Sequence, residues 1–423
     1  MNFTKKILSN GLRLVTVPMK DNPTVTVMVL VEAGSKYETK EISGISHFLE
    51  HMCFKGTIKR PKAVDIVREL DSIGSQYNAF TSQEMTGYYA KSDKKHFVKI
   101  LDVVSDIYLH STFPKAELEK EKGVIVEEIR MYQDMPTRHI HDVLMELLYG
   151  TQPAGWDVAG SEKTVRATTR ERMIAYRKKH YVSGATTVVV AGNVDEHEVA
   201  TMVEQAFAAM PSGKKHQKTA VTETQKKPSI SLAYKKTDQV HLALAIRTFD
   251  IYHKDMPAMR VVSIILGGGM SSRLFQKMRD GLGICYYVGA GHETFTDHGF
   301  LEITAGVPAK RLLEAVDALM EELRTLKKER VKEDELARVK EYLIGNMYLG
   351  LESSDSLADF YGYQEIMRKP LFLPREVADR IRAVSADDIQ RIVQTYFIEK
   401  GLNLALIGPV KSKKELEKLL RLS

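Results

Sequence analysis

The chain has 423 residues, 43% hydrophobic and 27% charged, with a formal net charge of +6 and two cysteines. This is ordinary globular composition, long enough for two or three domains with real cores. It excludes a secreted disulfide framework, no apolar run approaches the roughly 18 residues of a membrane span, and no arginine-rich block suggests nucleic acid.

The N-terminus lacks an apolar targeting segment, so a cytoplasmic location is expected. "SNG" at Ser9–Gly11 reads as a tight turn between "KKIL" and "LRLVTV". "TVTVMVLVEAG" (24–34) is β-branched and apolar, a strand. "KAVDIVRELDSIG" (62–74) has helical spacing and stops at glycine. "GYYAKSD" leads into an amphipathic helix over 93–114, ended by Pro114, and 115–134 is a further long helix. "ATTVVVAGNV" (185–194) is a strand followed by a helical stretch. Residues 211–229 are polar and bracketed by prolines, the pattern of a linker.

After the linker the order recurs: strand (241–249), helix (258–268), strand (298–307), long helix (309–330), and "GLNLALIGPV" (401–410), which echoes "TTVVVAGNV". The repeat, with a period near roughly 210 residues, predicts an α+β protein of two homologous domains. Each is expected to be a mixed or antiparallel β-sheet flanked by helices, the two facing each other across the linker. The boundaries are 1–210, 211–229 and 230–423. "LGGGMSS" (266–272) lacks the Gly-Lys-Ser/Thr ending of a phosphate loop and follows a helix, which argues against a nucleotide site. No G-x-S-x-G suggests a serine hydrolase.

The chemistry concentrates in "HFLEH" (47–51). On a helix His47 and His51 lie on one face, able to direct two imidazoles at one ion. Glu50 stands on the same side and can serve as general base without ligating. Chance supplies this pattern in roughly 2–3% of such chains, so a third ligand is needed. In "ELEKEKGVIVEEIRM", Glu121 and Glu128 are seven apart and share a helical face. Val124 and Ile125 lie between them, a face expected to point inward, whereas Glu127 turns toward Lys120. A carboxylate on an apolar face is costly unless paired or metal-bound, which favours Glu128 or Glu121 over Glu127. Cys53, two residues past His51, reads as a buried structural cysteine.

"HFLEHMCFKGT", "NAFTSQEMTGYYA" and "EKGVIVEEIRM" together resemble the pitrilysin/insulinase family of zinc metallopeptidases, especially its half-size branch, that of the mitochondrial processing peptidase β-subunit and its bacterial relatives. The resemblance spans nearly the whole chain. It implies one Zn2+ per chain held by His47, His51 and Glu128, with Glu50 as catalytic base and Glu121 supporting the site. It implies that Asn78, Ala79 and Phe80, on an edge strand, lie along a peptide substrate bound in extended form. "SSRLFQKMRDGLGICYYV" resembles the family's Arg…Tyr pair. Arg279 and Tyr286 would then hold the substrate carbonyl and oxyanion, with Tyr287 an adjacent competitor. The second half has no H-x-x-E-H, and Asn346 stands opposite Glu128, so that half is expected to be inactive and substrate-holding. The implied function is a zinc endopeptidase, as a homodimer or a heterodimer with an inactive homologue. The rival is a non-catalytic or scaffolding subunit of such a heterodimer, which the retention of every ligand disfavours.

Overall fold

The computed structural model describes residues 2–422. The chain divides into two compact units. Met1–Arg130, Trp156–Thr219 and Tyr348–Leu373 make the first; Met131–Gly155, Ala220–Met347 and Pro374–Ser423 make the second.

The first unit holds a six-stranded sheet of β1 (Thr4–Ile7), β2 (Arg13–Pro18), β3 (Thr24–Val31), β4 (Gln76–Thr81), β5 (Thr86–Asp93) and β6 (Thr186–Gly192), in the order β1-β2-β6-β3-β5-β4. Only β2 and β6 run parallel. β3 and β6 are buried almost end to end, which explains their near-continuous apolar runs. Alternation sends Val25, Val27, Val29, Val188 and Val190 to one face, into a core shared with Ile100, Leu101 and Val104 of helix Phe97–His110. Met28, Leu30 and Val189 take the other face, against helix Ser354–Ile366. A side chain at Gly362 would begin 2.8 Å from Leu30 Cδ1, so glycine lets this helix lie close.

Polar contacts fix the same helix. The Ser354 hydroxyl meets those of Thr24 and Thr26 at 2.9 and 2.8 Å. Lys91 pairs with Asp355 at 2.7 Å. Buried Arg13 bridges Glu32 (2.9 Å) and Glu365 (3.1 Å).

The second unit holds β7 (Ser229–Tyr234), β8 (Gln239–Arg247), β9 (Tyr287–Thr294), β10 (Gly299–Pro308) and β11 (Leu402–Gly408), in the order β7-β11-β8-β10-β9. Only β7 and β11 run parallel. This repeats β2-β6-β3-β5-β4, so the internal echo is a repeated sheet topology. Leu242, Leu244, Leu404 and Leu406 face a core with Val262 of helix Met256–Gly267 and Leu319 of helix Leu312–Lys328. Ala243, Ala245, Ala405 and Ile407 face Ile140 and Leu144 of helix Pro136–Tyr149.

The compact units therefore differ from the expected halves 1–210 and 230–423. Each sheet has two apolar faces, and helices of its own half cover only one. The other is closed by a helix from the opposite half of the sequence: 354–366 on the first sheet, 136–149 on the second. The expected linker is divided too, 211–219 lying with the first unit and 220–229 with the second. Among the described residues no helix is long and apolar enough to cross a membrane.

β4 is an edge strand, paired with β5 alone. Its Phe80 stands opposite Gly87, and the Phe80 ring fills the space that a side chain at Gly87 would need. Glu84 and Thr86, in the same hairpin, are structural. Glu84 is buried against Lys36 at 3.0 Å, and the Thr86 hydroxyl donates to Ala33 O at 2.9 Å.

Candidate metal centre

Helix Ile45–Cys53 carries the motif. Ile45, Phe48, Leu49, Met52 and Cys53 are buried, leaving His47, Glu50 and His51 on the half-buried side, as 3.6-residue spacing requires. The helix starts at Gly44, whose φ of 92° suits glycine, and a side chain there would strike Ala159 O. Glu38 caps this end: its carboxylate accepts from Gly44 N at 2.7 Å and Ser46 N at 2.8 Å. Burial pushes the Glu38 carboxyl up to about 8 against those hydrogen bonds.

Helix Lys115–Asp134 brings the acidic residues to this face. Glu128 Oε2 lies 3.7 Å from His47 Nε2 and 3.4 Å from His51 Nε2. The two Nε2 atoms are 3.3 Å apart. Ligands about 2.0–2.1 Å from a tetrahedral zinc sit roughly 3.3–3.4 Å from one another, so these three edges fit such an ion. Among the described residues this is the one group of three potential ligands so gathered. Glu127, the neighbouring candidate, is 71% exposed and pairs with Arg130 at 2.7 Å.

The surroundings suit a cation. Glu121 Oε1 accepts from His51 Nδ1 at 2.9 Å, which fixes the tautomer that turns the Nε2 lone pair to the centre. Glu121 Oε2 is held by Lys55 at 2.7 Å. Burial pushes the Glu121 carboxyl up, but the hydrogen bonds from His51 and Lys55 prevail and hold it below the ordinary value. The protein's own charges respond to the crowding. Burial and the neighbouring His51 push His47 down to about 4. His51 is pushed down by burial, but hydrogen bonds to Glu121 and Glu128 lift it to about 9.

Glu50 is not a member of the trio. Its Oε2 accepts from the Thr81 hydroxyl at 2.7 Å, tying the motif helix to the end of β4. Burial raises its pKa, opposed by the Thr81 hydrogen bond and His51. Cys53 is fully buried with Sγ 3.5 Å from Tyr88 Oη, away from the trio's face.

The expected inward face of the glutamate helix needs one correction. Ile125 is buried, but Val124 is 52% exposed. The inward stripe runs through Leu118, Glu121, Ile125 and Ile129, with Glu128 at its border. Thr81, Lys55 and Glu38 were not singled out from the sequence. Thr81 follows directly on Asn78–Phe80, yet nothing local marks its hydroxyl as the partner of Glu50.

Asn78 and Ala79 lie on β4, where the Asn78 side chain accepts from Ala79 N at 2.9 Å. In the second unit Arg279 and Tyr286 stand together, the guanidinium 5.3 Å over the tyrosine ring. Tyr286 is 75% exposed, whereas Tyr287 turns inward to His241 Nδ1 at 2.9 Å. Asn346 is exposed and donates to Tyr342 O at 2.7 Å.

Fold and site together define an α+β protein of two topologically repeated units, one of which carries an inverted His-x-x-Glu-His motif completed by a distant glutamate. Comparison with known proteins agrees. Residues 13–162 match the Insulinase (Peptidase family M16) model, and residues 167–343 match that of the Peptidase M16 inactive domain. An "Uncharacterized zinc protease YmxG" of Bacillus subtilis is 36% identical over 403 residues, covering 95% of this chain and 97% of that protein. An "Uncharacterized zinc protease" of Rickettsia felis is 33% identical over 420 residues, covering 96% and 98%. A crystal structure of a protease from Helicobacter pylori superposes with a TM-score of 0.89 at 22% identity, over 96% of this chain and 99% of that one. A peptidase M16 inactive domain from Pseudomonas fluorescens gives 0.89 at 19% identity, over 97% and 99%. The chain belongs to peptidase family M16, the insulinase family.

Proposed function

We propose that this chain is a zinc-dependent endopeptidase acting on peptides or unfolded segments in extended form. The observation that supports this best is the trio His47, His51 and Glu128, with edges of 3.3–3.7 Å and a non-ligating carboxylate, Glu50, on the same helix face. Bound by this trio, zinc supplies Lewis acidity, polarising a carbonyl and acidifying water. The protein's residues do the rest. Glu121 fixes the His51 ring. Thr81 holds one Glu50 oxygen and leaves the other to take a proton and hand it to the leaving amine. Burial makes Glu50 a stronger base than an exposed glutamate.

The open edge of β4 offers backbone groups to an added strand, so Asn78, Ala79 and Phe80 would line the peptide by their main chain. Phe80's ring is already committed to Gly87. Arg279 and Tyr286 are read as donors to the substrate carbonyl and oxyanion. One zinc per chain, a homodimer or a heterodimer with an inactive homologue, and a cytoplasmic location belong to the same reading. It is tested by digesting a peptide mixture with purified protein and mapping fragments by mass spectrometry. New internal cuts that vanish with a chelator and return with added zinc are expected; an unchanged mixture contradicts it.

A further inference from the structure

Residues Phe275–Gly281 form a π-helical turn, an uncommon element in which Leu282 N donates to Lys277 O five residues back. Such turns recur at functional sites, so what this one holds in place matters. It carries Arg279, which is exposed. Among the described residues no carboxylate lies in ion-pair range of Arg279; its close partners are two rings. The guanidinium carbon stands 4.9 Å from the Phe275 ring centroid and 5.3 Å from that of Tyr286, both within the range of a cation–π contact. The neighbouring arginine, Arg273, is held differently, by Glu335 at 2.7 Å and Glu322 at 3.4 Å. An acid partner would neutralise a guanidinium. Ring faces orient it and leave its charge and its N–H donors available.

We propose that Phe275 is a positioning residue: with Tyr286 it clamps the Arg279 guanidinium between two rings, so that an uncompensated cation is aimed before substrate arrives. This rests on the reading of Arg279 as the group that meets a developing oxyanion. Phe275 itself touches no substrate; it limits the rotamers Arg279 samples. Loss of the ring face lowers turnover rather than substrate binding, by about two- to fivefold for one exposed cation–π contact.

The test uses the full-length, zinc-loaded protein and has two readouts. The first is kcat and KM on a quenched fluorescent peptide for wild type, Phe275→Leu and Phe275→Tyr. Phe275→Leu keeps apolar bulk without a ring and should lower kcat about two- to fivefold at unchanged KM and zinc content. Phe275→Tyr should recover it. The second readout is the Arg279 Nε–H resonance in the wild type, assigned through Arg279→Lys, which should be shifted upfield by the two rings. This signal is read on the wild type and does not depend on activity or on the folding of the Phe275 variants. A wild type without peptidase activity would defeat the proposed function and leave the clamp to the resonance. An Arg279 signal at its random-coil position, or wild-type kcat in folded Phe275→Leu, would overturn the clamp.

Discussion

At the scale of single residues the account separates two adjacent glutamates. Glu128 borders the buried stripe and faces both imidazoles, whereas Glu127 is exposed and paired with Arg130. Glu128→Gln should lose most bound zinc by elemental analysis after dialysis, and Glu127→Gln should retain it. The reverse order would move the third ligand. Glu121 and Glu128 share a helical face by spacing, and the geometry divides them. Glu121 meets the far nitrogen of His51 and Lys55; Glu128 meets the near nitrogens. Seven-residue spacing puts two side chains on one face but does not say which lies level with the motif helix. That depends on how the two helices are set along their axes, a long-range property absent from either segment.

At the scale of elements, Glu38 holds the start of the motif helix without any local mark in the sequence. It caps the motif helix from six residues before Gly44, and burial lifts its carboxyl to about 8. The sign follows. The folded state holds a proton that the unfolded chain, near the ordinary glutamate value, gives up. Stability from this group is therefore greatest below about pH 4.5 and declines as pH rises toward 8. Glu38→Gln cannot titrate. Its melting temperature relative to wild type should rise between pH 5 and pH 8.5 in paired thermal scans; a pH-independent difference would contradict the burial argument. Among the elements, helix 115–134 was legible residue for residue, because its periodicity and the flanking Pro114 are local signals. Val124, expected inward, is exposed because one apolar residue in a row of three must turn outward, and only packing selects it. The π-helical turn and the covering role of helix 354–366 were not legible. The first departs from the standard helical hydrogen-bond pattern without a sequence mark. The second pairs helix 354–366 with β3 and β6, strands of the opposite half of the sequence.

At the scale of the whole molecule, the repeat was legible as two echoing halves, but the exchange of helices was not. β3 and β6 are apolar on both faces, so their sheet needs a second cover, but nothing local says which helix supplies it. The cover of the first sheet is secured by buried Arg13 between Glu32 and Glu365. Removing one partner of a buried ion pair costs about 3–5 kcal/mol, less here because Arg368 and Lys5 also reach these carboxylates. At about 2 kcal/mol, Arg13→Met should lower the melting temperature of the first unit by roughly 4–8 °C in calorimetry. An unshifted transition would mean that the Arg13 bridge adds nothing to the hold on helix 354–366, which the Ser354 and Asp355 contacts and the apolar face would then supply.

The central claim is that Glu50 moves the proton while His47, His51 and Glu128 hold the metal. It is tested most directly by measuring zinc content and peptide cleavage on the same preparations of wild type and Glu50→Gln. The account predicts about one zinc per chain in both, with cleavage by the variant reduced at least about 100-fold. Cleavage by Glu50→Gln at the wild-type rate, with zinc bound, would contradict it.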